Sequence, residues 1–383
     1  MNKSILPFLL LLLVSCGKEK KEQPAPFEKP QQENTTVIKY AAGFTIEKGE
    51  VLTTIEVSTP WPDAERTYKY ALIPREKALY TSVNVDTYDA VILTPVERLV
   101  VTSTTHIPAL EMLDVEGTLV GFPSIEYISS EKTRRNVEAG KVKEVGSNEA
   151  INTEVLIDLQ PEVVIGFSIN SSNKAYERIK SANIPVVYNG DWTERTPLGR
   201  AEWIKFFAPF FGKEKAGDSV FSSIEKEYLK AREMVKKTTN RPSVLGGAMY
   251  KDVWYLPAGE SFQAQFLKDA NADYLWEDSE GTGSLSLSFE NVLEKAKNVE
   301  FWIAPGQFSS YQEMKEADNH YEQFAAFQNK NIYTFNLTKG ATGGILYYEL
   351  APYQPHIVLK DMIKILHPTI PFEHENVFFK PLK

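Results

Sequence analysis

The sequence predicts an α/β protein in which two parallel-sheet lobes are joined by a single long helix, with a small β-rich extension at the N-terminus. Two series of short apolar strand patterns alternate with helix patterns, one on each side of a long amphipathic stretch at 212–240. Apolar strands that alternate with helices are typical of parallel sheets buried on both faces. In the long stretch, apolar residues recur at gaps of three and four, which predicts a helix that buries one stripe.

Residues 1–15 have the pattern of a signal peptide. Lys3 supplies a positive charge, and the apolar run 5–14 is too short to cross a bilayer core of ~30 Å as a helix. The following Leu-Val-Ser-Cys resembles the bacterial lipoprotein signal, which is cleaved before a cysteine that then carries acyl chains. Cys16 is the only cysteine in the chain and is the expected lipidation site, although a chance cysteine after a secretory signal stays open.

Two further segments precede the lobes. Residues 16–36 are charged, contain proline and lack periodicity, which predicts an unfolded tether. Residues 37–96 carry alternating or β-branched stretches at 44–46, 51–57 and 67–73, so we expect a small antiparallel β extension without a catalytic role.

The lobes follow from repeated strand and helix patterns. Residues 97–195 and 242–370 are the expected N-terminal and C-terminal α/β lobes, and each is long enough for its own core. Connecting helices are expected at 196–241 and a tail at 371–383. The principal strands expected in the lobes are 98–103, 119–122, 163–167, 186–188, 244–247, 253–256, 301–304 and 332–335.

The composition argues against several classes of function. The formal net charge is −9 and no basic run is present, which argues against binding to nucleic acid or adhesion to anionic lipid. The chain contains no phosphate-binding glycine loop, no nucleophile elbow and no His-Glu-x-x-His helix. We therefore do not expect an enzyme, although an extracytoplasmic enzyme on this scaffold stays a minor alternative.

Three stretches together resemble a known family. Residues 145–165 (VGSNEAINTEVLIDLQPEVVI) resemble the signature of substrate-binding proteins of ABC importers for iron complexes and cobalamin. Residues 288–293 (SFENVL) are similar to the corresponding Glu-led helix of the second lobe, and residues 98–105 (RLVVTSTT) fit the first strand. The resemblance covers roughly residues 97–368.

The resemblance implies a function, partners and a location. Members capture a metal chelate (ferric siderophore, haem or cobalamin) between the lobes and deliver it to an ABC permease and its ATPase. One exposed glutamate on each lobe engages the permease, and by motif position these are Glu154 and Glu290; the competing interpretation is that each is a glutamate favoured by its helix dipole. The resemblance implies no resident cofactor and a monomer, and the lipoprotein-like signal before Cys16 implies a lipid anchor outside the cytoplasm.

The ends of the predicted strands indicate where a ligand would bind. Ligands of open parallel sheets bind beyond the carboxyl ends of the strands. Aromatic side chains there could lie against a planar or macrocyclic chelate, and an arginine could bind its carboxylates, although each aromatic could instead pack in a lobe core. The predicted ligand-binding residues are Thr105, His106, Ser168, Trp192, Arg195, Tyr250, Phe308 and Tyr311.

A bare metal ion is the alternative cargo. Zinc and manganese sites use clustered histidines with carboxylates, whereas the histidines at 106, 320, 356, 367 and 374 show no ligand spacing. We therefore predict no metal-ligating residues.

Overall fold

The computed structural model describes residues 36–383. The predicted signal peptide, Cys16 and the tether up to residue 35 lie outside the described residues. The described residues all belong to one structural unit.

The N-terminal extension is a four-stranded sheet. Its strands are β1 (Phe44–Lys48), β2 (Thr53–Val57), β3 (Tyr68–Pro74) and β4 (Ala90–Thr94), in that order across the sheet. β1, β2 and β3 pair antiparallel, but β3 and β4 pair parallel. The expectation of a purely antiparallel sheet is therefore wrong. Between β3 and β4 the chain passes through the helical turns Arg75–Tyr80 and Val85–Thr87, a crossover that a parallel pair requires.

The N-terminal lobe is built on a five-stranded parallel sheet. Its strands and those of a small hairpin are β5 (Leu99–Val101), β6 (Leu119–Phe122), β7 (Lys143–Glu144), β8 (Gly146–Ser147), β9 (Ala150–Ile151), β10 (Val163–Gly166) and β11 (Val186–Tyr188). The order across the parallel sheet is β11-β10-β5-β6-β7. Its central strands β5 and β10 are fully buried, as their continuous apolar sequences predict. The helices are α1 (Ile107–Met112), α2 (Glu131–Glu138), α3 (Thr153–Leu159) and α4 (Lys174–Ser181).

Three helices connect the lobes: α5 (Pro197–Glu202), α6 (Ile204–Phe207) and α7 (Glu214–Val235). Gly212 precedes α7 with a φ of 64°, a left-handed conformation that favours glycine. α7 has 22 residues, so it is about 33 Å long. Its buried stripe is Gly217, Phe221, Ile224, Tyr228, Ala231 and Val235.

α7 contacts elements on both sides of the connection. Towards the N-terminal part, the Tyr40 hydroxyl donates to Glu225 at 2.5 Å, and Glu225 is half-buried. Towards the C-terminal part, the Tyr228 hydroxyl donates to Asp269 at 2.6 Å. Lys360 also donates to Glu227 at 2.9 Å. α7 is therefore a brace between the N-terminal extension and the C-terminal lobe.

The C-terminal lobe contains a second five-stranded sheet and a side sheet. Their strands are β12 (Ser243–Gly246), β13 (Ala248–Tyr250), β14 (Val253–Pro257), β15 (Asp273–Tyr274), β16 (Ser284–Leu287), β17 (Phe301–Ile303), β18 (Ile332–Thr334) and β19 (Lys380–Pro381). The order across the five-stranded sheet is β15-β12-β17-β18-β19. The helices are α8 (Phe262–Asp269), α9 (Phe289–Ala296), α10 (Tyr311–Ala317), α11 (Ala325–Gln328), α12 (Leu346–Leu350) and α13 (Pro355–Leu366).

The C-terminal lobe departs from the sequence-based expectation in two places. β13, β14 and β16 form an antiparallel side sheet, although β14 was expected to continue the parallel alternation. The predicted tail contributes β19, which pairs antiparallel with β18. The buried Asp361 holds this segment by accepting the backbone N–H groups of Val377, Phe378 and Phe379. Such long-range hydrogen bonds leave no local sequence pattern, so the tail was not recognised as part of the lobe.

The predicted fold class is confirmed, since two α/β lobes with parallel sheets and one long helix between them form the body of the protein. No helix within residues 36–383 is long and apolar enough to cross a membrane.

Candidate functional site

The carboxyl ends of both parallel sheets lead into segments that line a cleft between the lobes. In the N-terminal lobe, β5 and β11 are followed by 102–106 and 189–196. In the C-terminal lobe, β12, β17 and β18 are followed by 247–250, 304–308 and the segment that begins at Phe335. Cavities open along this cleft, as expected for open parallel sheets.

The first cavity, the inner chamber, lies against the C-terminal lobe and has a volume of about 560 Å³. Its lining is mostly apolar, and one third of the lining residues are aromatic. Phe335 stacks on Tyr347 with ring centres 4.3 Å apart, and Tyr348 meets Phe335 edge-on at 5.3 Å. Residues that line the chamber include Met249, Tyr250, Tyr255, Phe308, Phe335, Tyr347 and Tyr348. A volume of this size suits a bulky organic ligand.

The second cavity, the junction, is lined by both lobes and has a volume of about 190 Å³. Thr104, Thr105 and Arg200 line one side, and Tyr347 and Tyr348 line the other and also face the inner chamber. The Thr105 hydroxyl donates to the buried carboxylate of Asp191 at 3.1 Å.

The third cavity, the outer chamber, has a volume of about 870 Å³ and is more polar. It is lined by the N-terminal extension, by the segment 192–196 after β11 and by the C-terminal lobe. Arg195 and Glu260, one on each lobe, approach to 3.9 Å at its rim. Gln263 lines all three cavities, so the inner chamber, junction and outer chamber are neighbours along one cleft.

Arg200 is the cation at the centre of this cleft. It lines both the junction and the outer chamber, and its guanidinium carbon lies 3.5 Å from the centre of the Phe262 ring. Its Nη2 donates to the Trp192 carbonyl at 2.7 Å. Burial lowers the pKa of Arg200, whereas the negative charge of Asp191 raises it. Arginine nevertheless keeps its proton, so a positive charge faces the space between the lobes.

Five of the predicted ligand-binding residues line these cavities. Tyr250 and Phe308 line the inner chamber, Thr105 the junction, and Trp192 and Arg195 the outer chamber. Their roles in ligand binding stay predictions. The indole Nε1 of Trp192 is buried and has no hydrogen-bond partner in the described part of the chain.

The other three predicted residues do not line these cavities. His106 is fully buried, and its ring centre lies 5.5 Å from that of Phe207. It ends the helical turn Thr104–His106, which leads into α1, so its ring points into the core. Burial lowers the pKa of His106 to about 3, so its ring is neutral. Ser168 is buried and donates to the Asn170 carbonyl at 2.7 Å. Tyr311 begins α10 and packs edge-on against Phe327 at 5.1 Å.

Sequence reasoning missed the residues that enter the cleft from helices. Arg200 lies in α5, and Phe262 and Gln263 begin α8 after the N-cap Ser261. The rule that ligands bind beyond strand ends cannot find a connecting helix, and nothing local distinguishes Arg200 from a surface arginine. The N-cap serine was the available signal for α8, because it marks where a helix start faces a loop.

The family model described as "Periplasmic binding protein" matches residues 99–336, which is more than half of the chain. This chain belongs to the periplasmic binding protein family. The resemblance seen in the sequence is thereby confirmed.

Individual relatives of this periplasmic binding protein fit the same family. An uncharacterized lipoprotein of Methanocaldococcus jannaschii is 29% identical over 289 residues, which span 73% of this chain and 67% of the relative. A possible iron-binding periplasmic solute-binding protein of Staphylococcus epidermidis has a TM-score of 0.56 at 18% identity and covers 72% of this chain and 100% of its own. A periplasmic haem-binding protein of Vibrio cholerae has a TM-score of 0.54 at 16% identity. The match covers 69% of this chain and 99% of the haem-binding protein. Because both solved structures share less than 25% sequence identity with this chain, they show the fold alone.

Two exposed glutamates lie on separate lobes of this periplasmic binding protein. Glu154 is in the first turn of α3, whose N-cap Asn152 accepts its backbone N–H at 3.1 Å. Glu290 is in the first turn of α9, where Ser288 is the N-cap. Within residues 36–383 neither carboxylate forms an ion pair, and both residues are exposed.

Metal-ligating side chains do not cluster in the described part of this periplasmic binding protein. Residues 36–383 contain no group of three or more His, Cys, Asp or Glu side chains placed to hold a metal ion.

Proposed function

We propose that this protein is the extracytoplasmic solute receptor of an ABC importer, that Cys16 anchors it to the membrane, and that it binds a metal chelate in the cleft between its lobes. The chelate is of the ferric-siderophore, haem or cobalamin class. Family membership supports solute capture. The names of the solved relatives, one a possible iron-binding protein and one a haem-binding protein, support the chelate class.

The observation that carries the proposal is the tyrosine-rich inner chamber at the strand ends of the C-terminal lobe. Tyr250, Tyr347 and Tyr348 supply flat faces and hydroxyl groups on one surface. Tyrosines suit ligands that combine apolar and polar surface, because the ring packs while the hydroxyl hydrogen-bonds. The adjacent guanidinium of Arg200 favours ligands with carboxylate groups.

Absorption and calorimetric titrations test this function. Haemin, a ferric trihydroxamate and cyanocobalamin are each added to the purified full-length protein, and we expect one of them to bind with a Kd below ~1 µM. Tyr348→Ala is expected to weaken that binding by about tenfold, because aromatic contacts at the centre of a site carry much of the affinity.

The matched control is Tyr80→Ala. Tyr80 is also an exposed tyrosine, but it lies on the N-terminal extension and lines none of the three cavities. If all three chelates fail to bind the wild-type protein, the chelate proposal has to be abandoned. If the two substitutions weaken binding equally, the inner chamber is not the site.

We further propose that Glu154 and Glu290 engage arginines of the permease. Both are exposed at helix starts, one on each lobe, and neither carboxylate is paired within the described residues. Two separated carboxylates would fix the orientation of the receptor through charge-assisted hydrogen bonds.

A further inference from the structure

The N-terminal extension forms part of the cleft, although the family match begins only at residue 99. We propose that the extension is the outer wall of the solute site and contacts the polar periphery of the bound chelate. The inference rests on the proposed function, because it assigns a second contact surface to the same ligand. It gives residues 36–96 a role in deciding which solutes fit.

The wall consists of the segment before β1 and the loop between β2 and β3. Its members are Tyr40, Ala42, Thr59, Trp61, Pro62 and Asp63. They face a surface of the C-terminal lobe formed by the start of α8 and by residues 282–284. A solute in the outer chamber would therefore touch the extension on one side and the C-terminal lobe on the other.

The β2–β3 loop is fixed to the segment that follows β11. The Thr193 hydroxyl donates to the Thr59 carbonyl at 3.0 Å. Gly190 lies so close that a Cβ there would collide with the carbonyl oxygen of Thr59. Within the loop, the Trp61 ring packs edge-on against the ring of Tyr188, the last residue of β11, with ring centres 5.1 Å apart. The extension wall and the strand end therefore form one surface.

Two buried carboxylates hold the other part of the wall. Glu194 accepts the backbone N–H groups of Ala42 at 3.0 Å and of Gly43 at 2.9 Å. Glu202 accepts the backbone N–H of Tyr40 at 2.6 Å. Charge-assisted hydrogen bonds of this kind are stronger than neutral ones. The wall is therefore already ordered before a ligand binds, so ligand binding does not carry the free-energy cost of ordering it.

The chemistry of the outer chamber selects a polar ligand surface. Serine and threonine residues from all three parts of the molecule line it: Thr59, Thr193, Thr196, Ser261, Thr282 and Ser284. Asp63 is exposed and forms no ion pair with any residue in 36–383, and Arg195, which also lines the chamber, is exposed as well. Both can meet hydroxyl, amide or charged groups on the ligand, while the aromatic inner chamber takes its apolar part.

Cysteine protection tests the wall directly. Ala42→Cys and Asp63→Cys place thiols on it, and a lipidated Cys16 leaves no other free thiol in the chain. Haemin, the ferric trihydroxamate or cyanocobalamin is used, whichever binds the wild-type protein. It is expected to slow maleimide labelling at both positions by about fivefold or more, because bound ligands bury most of the surface that they touch.

Asp86→Cys is the matched control. Asp86 is an exposed aspartate of the same extension, lies in the turn Val85–Thr87 and does not line the outer chamber. Its labelling should change by less than about twofold, since no ligand covers it. The melting temperatures of the three variants establish that they fold. If cysteine is not tolerated at the positive φ of Asp63, Ala42→Cys alone still tests the wall.

The outcomes separate this inference from the function on which it rests. If none of the three chelates binds the wild-type protein, the proposed function fails. If one binds but slows labelling by less than about fivefold at both wall positions, the extension lies outside the site and the inference is overturned.

Discussion

Glu202 shows how one buried carboxylate fixes a chain segment outside the family core. Its side chain is 0% exposed and accepts the backbone N–H groups of Lys39 at 2.9 Å, Tyr40 at 2.6 Å and Ala41 at 2.9 Å. Lys205 pairs with it at 3.0 Å. A buried carboxylate is stable only when its oxygens are satisfied in this way.

We therefore expect Glu202→Gln to lower the free energy of unfolding by about 2 kcal/mol, since the amide keeps one acceptor but loses the charge. Urea denaturation measures the change. The control is Glu214→Gln, which removes a partly exposed pair with Lys48 and should cost less than about 0.5 kcal/mol. Equal effects of the two substitutions would contradict the anchoring role of Glu202.

Glu349 is a buried carboxylate that links the two lobes directly. It lies in α12, is 1% exposed, and accepts the backbone N–H groups of Ser129 at 2.7 Å and Ser130 at 2.8 Å in the N-terminal lobe. Burial, with a smaller contribution from the nearby carboxylate of Glu111, raises the pKa of Glu349 to about 7. A raised pKa means that the folded protein holds this proton more tightly than the unfolded chain does.

The stability that this protonated carboxyl contributes is fully present below its ordinary pKa and is lost as the pH rises through 7. Relative to Glu349→Gln, the wild-type free energy of unfolding should fall by about 3 kcal/mol between pH 4.5 and pH 8. Denaturation of both proteins across this range measures the difference. A difference that does not change with pH would show that the pKa of Glu349 is not raised in the folded protein.

At the scale of elements, α7 is the connection between the lobes. Its buried face carries Phe221 and Ile224, while Tyr228 and Glu227 reach Asp269 in α8 and Lys360 in α13. Helical periodicity predicted the position of α7 to within a few residues at each end. It could not predict that Tyr40 of the extension covers Glu225, because that contact joins residues far apart in the sequence.

Glu227→Pro should break α7 in its middle. Proline removes a backbone hydrogen bond and clashes with the preceding turn, at a cost of about 3 kcal/mol. We expect solute uptake by cells to fall while the protein still folds, because the lobes lose their fixed spacing. Glu227→Ala is the control, since it removes the ion pair with Lys360 but keeps the helix. Normal uptake by the proline variant would contradict the role of α7 as a brace.

The strands show the same division between local and long-range information. The continuous apolar sequences of β5 and β10 indicated a buried parallel sheet, and the structure agrees. The parallel pairing of β3 with β4 and the return of β19 to β18 depend on partners distant in the chain. A single sequence contains patterns of burial, but it does not specify which strands meet.

At the scale of the whole molecule, the two lobes present a cleft on one side and an exposed glutamate each. The rule that ligands bind beyond the carboxyl ends of parallel strands pointed to five residues that line the cavities: Thr105, Trp192, Arg195, Tyr250 and Phe308. It did not locate Arg200, which enters from a connecting helix. His106 follows a strand in the same way as Thr105, yet its ring turns into the core.

The double variant Glu154→Ala, Glu290→Ala should separate ligand capture from delivery. We expect an unchanged Kd for the chelate and a loss of uptake of about tenfold, because in the proposed docking each carboxylate would contribute charge-assisted contacts to the permease. Calorimetry measures the first and uptake of radiolabelled chelate the second. Asp158→Ala, on the exposed face of α3, is the control. Full uptake by the double variant would refute docking through these residues.

The most direct measurement is the position of the metal in a complex of this protein with the chelate that binds it. Anomalous diffraction at the iron or cobalt absorption edge locates that atom without reference to the organic part of the ligand. We expect one strong peak in the cleft, between Tyr348 of the inner chamber and Arg200 of the junction. A peak on another surface, or a metal bound without its chelate, would contradict it.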